Sequence, residues 1–577
     1  MTGTSRTRHG RNLSRSMVVA LASMGPMLTA CSSEPGPGFL AGGDQIELCL
    51  GEVDVPDPVL REALLARVPQ PEPPDGEDPP EEPEPVIMAE LLRSMRGLNL
   101  PGAGIQDLSG LECAQGLLSL GLADNEITNI EPLLHLTGLE QLELSGNQIT
   151  DLSALGTLHR LTRLAVDENG VTNASPLANL TQLETLDLSG NELTDVSALR
   201  DLDQLAVLVL SRNQLTDVEA LAGLERLIGL ELDDNAIRSL EPLEGLVNLR
   251  FVDLDGNMIT SLEPLSDAVD MQEIEASRNA LTSLAGVEQM VGITRIVAQE
   301  NQITSTAGVR NLVALSTLDL GDNALTSLED VDGAVELQRL QVALNQVTDL
   351  SPIAGLPELR DLDLRFNEGL TDLSVVGTLP LLGFFGAGGY GQRQDMSALA
   401  GRQVLRSLNF TEAEVVDLAF FAELPGIEAV NFNGTPLSAE DLGNIALAPT
   451  LQTLRIDSAG LTDLSPLAAL PLIEVITARD NMLERIDAFA SWPSLNTAIV
   501  SGNPLTSLEG VEMHEILTEL DVRDTTVSDL APLVANETFR RGDTVIATGT
   551  ALDADDCADI ATIVGREGVV ESDVECP

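Results

Sequence analysis

The sequence contains no lysine, and it has only one tryptophan, one tyrosine and four histidines among 577 residues. Arginine therefore supplies all 31 basic residues, against 91 acidic ones, and the formal net charge is −60. A surface this acidic repels phosphate backbones and anionic headgroups, which excludes nucleic acid as a partner. Hydrophobic residues still make up 43% of the chain, so the acidity belongs to a folded protein rather than to a disordered acidic tail.

Residues 1–30 have the composition of an export signal, with four arginines ahead of an apolar stretch at 17–30 that is too short to span a bilayer permanently. Leu28-Thr29-Ala30-Cys31 resembles the bacterial lipobox. The resemblance implies cleavage before Cys31 and attachment of lipid to its sulfur, and an ordinary signal with a chance cysteine is the alternative. Ser32 stands where lipoproteins retained in the inner membrane carry Asp, so similarity to Gram-negative lipoproteins implies the outer membrane. This lipid is the only membrane contact we expect.

Four cysteines follow Cys31, two towards each end of the chain. Because an exported protein reaches an oxidising compartment, this spacing predicts two local disulfides, Cys49–Cys113 and Cys557–Cys576, each closing a terminal cap. The sequence alone permits three pairings. A zinc site is a poorer interpretation, because close cysteine pairs are missing and only four histidines exist.

Asparagine recurs at a fixed period of 22 residues within the frame L-x-x-L-x-L-x-x-N-x-[IVL]-T-x-L-x-x-L. The positions are Asn125, Asn147, Asn169, Asn191, Asn213, Asn235, Asn257, Asn279, Asn301, Asn323, Asn345 and Asn367. The frame begins one turn earlier with Ala103 and resumes, more loosely, from Ala413 to Thr550. A period of this length, sustained over about twenty turns, predicts a repeat array rather than a globular domain.

Each part of the frame has a physical role. The L-x-L segment predicts a short strand with leucine inward, and the Asn amide can both donate and accept where the chain turns. The T-D-L-S-P-L segment predicts a return by a turn or a 3₁₀ segment. Because only stacking buries the leucines, the predicted fold is an α/β solenoid. Its form is a right-handed leucine-rich-repeat superhelix with a concave parallel β-sheet and short 3₁₀ or turn segments on the convex side.

The 22-residue frame, with I-T-D-L-S-P-L after the Asn, resembles the internalin-type leucine-rich repeat of bacteria over roughly residues 45–577. The resemblance implies a protein-binding array of the kind that serves adhesion. No LPxTG-type sorting signal is found, so a lipid rather than a cell-wall link is the expected anchor.

The pattern divides the chain into five segments. These are the lipoprotein signal peptide (1–30), a lipidated tether (31–43), an N-terminal helical cap (44–97) with a Pro/Glu-rich loop (69–85), the repeat array (98–541), which is irregular at 380–411, and a C-terminal cap (542–577). Short helices are expected at 56–68, at 86–95 and after Asp556.

An acidic stripe is predicted on the sheet face, because positions four and two residues before each Asn should point outward. It is densest at Glu231, Asp233, Asp253, Asp255 and Glu275, and we expect Phe251 and Phe366 on the same face as apolar anchors. The stripe suits a basic protein, a polycation or calcium, and the alternative is the solvated face of an acidic protein. The EF-hand loop is incomplete around Asp253, so no metal site is predicted.

The irregular stretch 380–411 contains Phe384, Phe385 and Tyr390 in a chain that is only 2% aromatic. These residues predict an aromatic contact for a partner on a bulged turn. The alternative is a turn in which buried phenylalanines replace the usual leucine and asparagine.

No catalytic residue and no cofactor are predicted. The histidines are far apart, no nucleophile stands beside one, and neither a phosphate-binding glycine loop nor HExxH occurs. We therefore expect a monomeric, exported scaffold or adhesin that binds a protein of basic character through its concave face. An envelope spacer without a ligand is the second hypothesis, and an enzyme with its site in the irregular turn is the third.

Overall fold

The computed structural model describes residues 49–67, 86–389, 393–415 and 417–576. These form two compact units, one ending at Leu281 and the other beginning at Thr282. The predicted signal peptide, Cys31, the Pro/Glu-rich loop and Tyr390 lie outside the described residues. In the part of the chain that is described, no helix is long and apolar enough to cross a membrane.

The first unit carries one short parallel strand per turn. Its strands are β1 (Gly97–Asn99), β2 (Ser119–Gly121), β3 (Gln141–Glu143), β4 (Arg163–Ala165), β5 (Thr185–Asp187), β6 (Val207–Val209), β7 (Gly229–Glu231), β8 (Phe251–Asp253) and β9 (Glu273–Glu275). Consecutive strands pair in parallel at the 22-residue offset, as Leu142 and Leu164 do. The central residue of each strand is buried, so the leucines form the core of the unit.

The second unit repeats this arrangement. Its strands are β10 (Arg295–Val297), β11 (Thr317–Asp319), β12 (Arg339–Gln341), β13 (Asp361–Asp363), β14 (Phe384–Gly386), β15 (Arg393–Gln394), β16 (Ser407–Asn409), β17 (Glu414–Val415), β18 (Ala429–Asn431), β19 (Thr453–Arg455), β20 (Val475–Thr477), β21 (Thr497–Ile499), β22 (Glu519–Asp521), β23 (Thr544–Ala547) and β24 (Val569–Ser572). β15 and β17 pair only with each other. The predicted fold class, a leucine-rich-repeat solenoid, is confirmed within each unit.

Short 3₁₀ helices return the chain between strands, as the T-D-L-S-P-L segment predicts. In the first unit they are Leu111–Cys113, Glu131–His135, Ser153–Thr157, Ser175–Asn179, Ser197–Leu199, Glu219–Leu221, Glu241–Leu243 and Glu263–Leu265. In the second they are Val309–Asn311, Val331–Gly333, Ser351–Ile353, Ser374–Thr378, Ser397–Leu399, Ala419–Glu423, Ser465–Leu467, Asp487–Ser491 and Ala554–Asp556. Proline stands in the first turn of several of them, where its missing N–H costs nothing.

Among the described residues, five short α-helices accompany the repeats. They are α1 (Pro58–Leu65), α2 (Ala89–Ser94), α3 (Ala439–Ile445), α4 (Ala531–Ala535) and α5 (Cys557–Gly565). Asp57 caps α1 by accepting from Leu60 N at 2.9 Å, and its other oxygen accepts from Gln106 N at 2.9 Å. One carboxylate thus joins the cap helix to the first repeat.

The two predicted disulfides are confirmed. Cys49 is bonded to Cys113, and Cys557 is bonded to Cys576. The first links the segment ahead of α1 to a 3₁₀ helix of the array, and the second links the start of α5 to the residues after β24. Each bond therefore closes the end of its own unit.

The repeating asparagines join successive turns within each unit. Asn147 donates to Leu122 O in the preceding turn at 3.0 Å and to Leu144 O in its own turn at 2.9 Å. Its Oδ1 accepts from Ile127 N, again in the preceding turn, at 3.0 Å. One side chain thus satisfies buried polar groups on both sides of a turn boundary, which confirms that the Asn amide both donates and accepts, and the repeated bonds form a ladder of Asn residues.

Candidate partner-binding face

The acidic stripe is built by the register of β5 to β9. Asp187 lies opposite Val209, Val209 opposite Glu231, Glu231 opposite Asp253, and Asp253 opposite Glu275. All five are third residues of their strands, so their side chains leave the same face of the sheet. Four of the five are carboxylic acids on strands spaced by about 4.8 Å, which places like charges side by side.

A second row of acids runs two residues further along the chain. Asp233 and Asp255 occupy it in neighbouring turns, and their backbone carbonyls still accept from Arg212 N and Asp234 N. Asp255 Oδ1 accepts from Ser277 N at 2.6 Å, and Asp253 Oδ1 accepts from Asp255 N at 3.1 Å. These bonds fix the orientation of two carboxylates on the sheet face.

One carboxylate of the stripe, that of Glu231, is buried without a counter-charge among the described residues. Glu231 is only 4% exposed, and within the described ranges no donor and no cation contacts its carboxylate. Burial, and then the charges of Asp233, Asp187 and Glu275, raise its pKa to about 8. Burial and the neighbouring acids Asp233, Asp255 and Glu275 raise the pKa of Asp253 to about 9.

The flanks of the stripe are less perturbed. Burial and the charge of Asp167 raise the pKa of Asp187 to about 6, against hydrogen bonds from Ser189. Burial raises the pKa of Asp255 to about 6, against its bond from Ser277. The largest increases in pKa are therefore those of Glu231 and Asp253, in the centre of the stripe.

The arginines next to the stripe are paired at its edge. Arg212 contacts Glu168 at 2.5 Å, and Arg278 contacts Asp234 at 2.9 Å. Glu168, Arg212, Asp234 and Arg278 all have positive φ and stand immediately before a repeating Asn, in the turn that follows the strand. These ion pairs are half-exposed and run along the turns, so they leave the centre of the stripe acidic.

Of the two aromatic anchors expected on this face, one lies there. Phe251 is the first residue of β8, half-buried, with Val252 inward beside it. Phe366 was placed wrongly, since it follows β13 with a φ of 58° in the turn before Asn367. Its ring packs over Gly389, where a Cβ would approach within 2.1 Å.

The aromatic contact predicted at 380–411 is wrong for Phe385. The two extra residues of this stretch are divided between two successive turns, so β14 begins one residue late and Phe385 lies opposite Leu362 and Leu408. It therefore fills the inward leucine position and is fully buried. Phe384 points to the other face and is half-buried.

The neighbouring phenylalanines extend this core. Phe410, Phe421 and Phe432 are fully buried, and the Phe410 and Phe432 rings lie 5.4 Å apart. Phe420 stacks on Phe421 at 4.8 Å. The alternative interpretation of the irregular stretch, in which phenylalanine replaces leucine in the core, therefore holds for this cluster.

Two comparisons with known proteins agree on the repeat. A family model described as leucine-rich repeats (2 copies) matches residues 115–157, 159–201 and 181–223. The chain therefore contains leucine-rich repeats. An internalin from Listeria monocytogenes superposes with a TM-score of 0.51 and 25% sequence identity, covering 65% of this chain and 95% of that one.

A more distant leucine-rich-repeat structure shares the fold alone. The plant peptide hormone receptor RGFR1, in complex with RGF2, gives a TM-score of 0.50 at 17% identity, covering 85% of this chain and 89% of that one. A leucine-rich-repeat protein of Leptospira interrogans gives 0.45 at 18% identity, covering 83% and 97%. Among curated proteins, none matches the sequence. Leucine-rich repeats are typically non-enzymatic scaffolds that bind proteins.

The sheet face of the second unit has a cavity lined by both acidic and basic residues. This mixed-charge cavity was not predicted from the sequence. Its volume is about 360 Å³, and Phe384 forms part of its wall. Arg339 Nε contacts Asp361 Oδ2 at 2.9 Å, and Arg365 contacts Asp363 at 2.6 Å. The signal was available, because Arg339 and Arg365 stand at outward positions of the frame, but the search followed acidic residues alone.

Without divalent cations, Glu231→Gln is expected to reduce the loss of stability of the leucine-rich-repeat array at high pH. Because the folded-state pKa of Glu231 is raised from 4.5 to about 8, its contribution to stability is complete below pH 4.5 and is lost as pH rises through about 8. Denaturant unfolding at about pH 5 and 9 should show the variant gaining about 1 to 3 kcal/mol on the wild type. Exposed Glu192→Gln is the control, and parallel pH profiles for all three proteins would contradict the prediction.

Proposed function

We propose that this chain is an exported, lipid-anchored scaffold or adhesin that binds a basic protein on the sheet face of its first unit. The observation that carries the proposal is the acidic stripe of Glu231, Asp233, Asp253, Asp255 and Glu275, with the carboxylate of Glu231 buried at its centre. The fold supports a binding role rather than catalysis, since this scaffold typically binds proteins.

A basic partner would relieve a cost that the free protein bears. Burying a carboxylate without a counter-charge is unfavourable by several kcal/mol, and like charges on adjacent strands add to the cost. An arginine or lysine side chain placed over β7 and β8 would stabilise the ionised forms of Glu231 and Asp253 and so lower their raised pKa values. The half-buried ring of Phe251 begins β8 and offers a cation–π or apolar contact for the same side chain.

The cellular location is part of the proposal and rests on the sequence around Cys31. Lipid on this residue would hold the array at the cell envelope, at the outer membrane if Ser32 acts as in Gram-negative lipoproteins. Cys31→Ser in the full-length chain should move the protein from the membrane pellet to the soluble fraction. Retention of the variant in the pellet would remove the lipid anchor from the proposal.

A crosslinking pull-down from envelope extracts tests the binding face. One bait carries Asp253→Asn, Asp255→Asn and Glu275→Gln, and a charge-matched control carries Glu219→Gln, Glu241→Gln and Glu263→Gln on exposed 3₁₀ segments of the same unit. A partner that wild type and control retain, with at least tenfold less on the stripe variant, supports the proposal. A partner retained equally by all three would move the site elsewhere.

The absence of any partner in the same pull-down would favour the second hypothesis, an envelope spacer. A spacer would not need such a stripe, because exposed acids anywhere on its surface would keep the protein soluble. The burial of Glu231 is the specific observation that favours a binding face over a spacer.

A further inference from the structure

Three carboxylates of the first unit converge closely enough to share one ion. Asp253, Asp255 and Glu275 each offer a ligand atom, and these atoms all lie within 4.8 Å of one another. Oxygen ligands surround Ca²⁺ at about 2.3 to 2.6 Å, so two ligands of the same ion are at most about 5 Å apart. The separation in this cluster is therefore the separation that a shared calcium ion requires.

A buried carboxylate on the next strand points to the same ligand independently. Glu231 lies directly opposite Asp253 in the sheet register and leaves the same face. It is 4% exposed, and across the described segments no hydrogen-bond donor or cation reaches its carboxylate. In the same column, Asp253 is one strand away and Glu275 is two strands away, which places Glu231 beside the cluster. A buried acid that lacks a partner in the protein needs one from outside it.

Nearby basic groups do not fill this role. Arg278 is engaged with Asp234 at 2.9 Å in the turn beyond the strands, and Arg212 is engaged with Glu168. Two of the cluster carboxylates are also held in place, because Asp253 Oδ1 accepts from Asp255 N and Asp255 Oδ1 accepts from Ser277 N. Each keeps its second oxygen for a ligand, so the donor set is preorganised.

We propose that Asp253, Asp255 and Glu275, completed by Glu231, form a calcium-binding site on the sheet face. The set contains only carboxylate oxygens, which suit a hard cation and disfavour zinc or copper. Several carboxylates on one ion also suit calcium better than magnesium, which keeps most of its water. This site does not depend on the proposed protein partner.

The site replaces the earlier expectation that the chain binds no metal. That expectation came from the incomplete EF-hand loop around Asp253, in which ligands alternate along one segment. Here the ligands come instead from three successive turns, since Glu231, Asp253 and Glu275 are spaced by 22 residues. The repeat period, rather than a loop motif, brings them together.

Calorimetric titration of the purified full-length protein with calcium chloride tests the site, after treatment with a chelator and at about 0.15 M salt to screen the diffuse surface charge. We expect saturable binding at one site, with a dissociation constant of about 10⁻⁵ to 10⁻³ M. Asp255→Asn and Glu275→Gln should each weaken it at least tenfold, and Glu231→Gln should weaken it measurably. Magnesium should bind less tightly than calcium.

Glu263→Gln is the matched control, because Glu263 is an exposed acid on a 3₁₀ helix of the same unit and lies outside the stripe. It should leave calcium affinity within about twofold of the wild type, since additivity between distant positions is the rule. Failure of wild type to saturate below about 10 mM, or equal loss in the control, would overturn the site. Circular dichroism of each variant distinguishes unfolding from the loss of a calcium-ligating side chain. If another variant unfolds, Glu231→Gln still tests the site, because this substitution removes a repulsive charge.

The titration contains no protein partner, so it stands or falls separately from the proposed function. Repeating the pull-down in calcium and in chelator then divides the outcomes. A partner that binds in both supports the basic-partner proposal alone, whereas binding only in calcium indicates that the ion helps to form the contact surface.

Discussion

Phe385→Ala is expected to lower the free energy of unfolding of the second unit by about 3 to 5 kcal/mol. Phe385 is fully buried at the inward position of β14, between Leu362 of β13 and Leu408 of β16. Removing the ring leaves a cavity that two neighbouring turns line from both sides. Because the stacked strands are fixed by parallel pairing, they can close little of this space. Denaturant unfolding of the wild type and the variant measures the difference.

Phe384→Ala is the matched control for this experiment. Phe384 is the preceding residue on the same strand, but it is half-buried on the opposite face and lines the mixed-charge cavity. Its removal should cost less than about 1.5 kcal/mol, because part of its surface is already hydrated. Equal losses for both variants, or a larger one for Phe384, would mean that the register of β14 is not the one described.

Asn191→Ala is expected to destabilise the first unit by about 3 kcal/mol. Asn191 is 7% exposed and donates to Val166 O at 2.9 Å and Leu188 O at 3.0 Å. It also accepts from Val171 N at 2.9 Å. Alanine would leave these backbone groups buried without a partner, and each one costs about 1 to 3 kcal/mol, part of which local rearrangement recovers. Thermal and denaturant unfolding report the loss.

Two further substitutions make this result specific. Glu192→Ala changes the adjacent exposed residue and should be nearly neutral. Asn191→Thr should fall between alanine and the wild type, because Thr435 already does part of this work in the second unit by donating to Phe410 O and accepting from Ala413 N. Similar losses for threonine and alanine would show that shape, not hydrogen bonding, sets the cost.

The sequence was sufficient for every feature that depends on the period. The 22-residue spacing of Asn, the L-x-L alternation and the proline in the return segment each act within one or two turns. Strand positions, the Asn ladder and the 3₁₀ segments were therefore predictable from a single frame. The two disulfides followed equally well, because each pair of cysteines lies at one end of the array.

Features that depend on the exact register were harder to predict. Phe385 was assigned to the surface because the frame was extended across 380–411 without the one-residue shift of β14, and a shift of one residue exchanges the two faces of a strand. Phe366 was assigned to the strand although it lies in the turn before Asn367. In both cases local geometry overruled the average repeat.

Only part of the chemistry of the acidic stripe could be predicted from the sequence. Its position followed from the frame, but the burial of Glu231 did not, since an outward-pointing strand residue is normally hydrated. Burial is what raises the pKa of Glu231 and Asp253, and it arises from the packing of neighbouring side chains in three dimensions. A carboxylate spacing that suits an ion likewise emerges only when turns are stacked.

The backward direction of the Asn ladder gives the array a polarity during synthesis. The backbone N–H of Ile127 donates to Asn147 Oδ1, and the backbone N–H of Val171 donates to Asn191 Oδ1. In each case the acceptor lies 20 residues later in the chain. A nascent chain leaving the ribosome would thus always carry one incomplete turn at its growing front, while every turn behind it is sealed. As elongation continues, the incomplete turn would move towards the C-terminus. It would disappear when the segment joined by Cys557 and Cys576 closes the last turn.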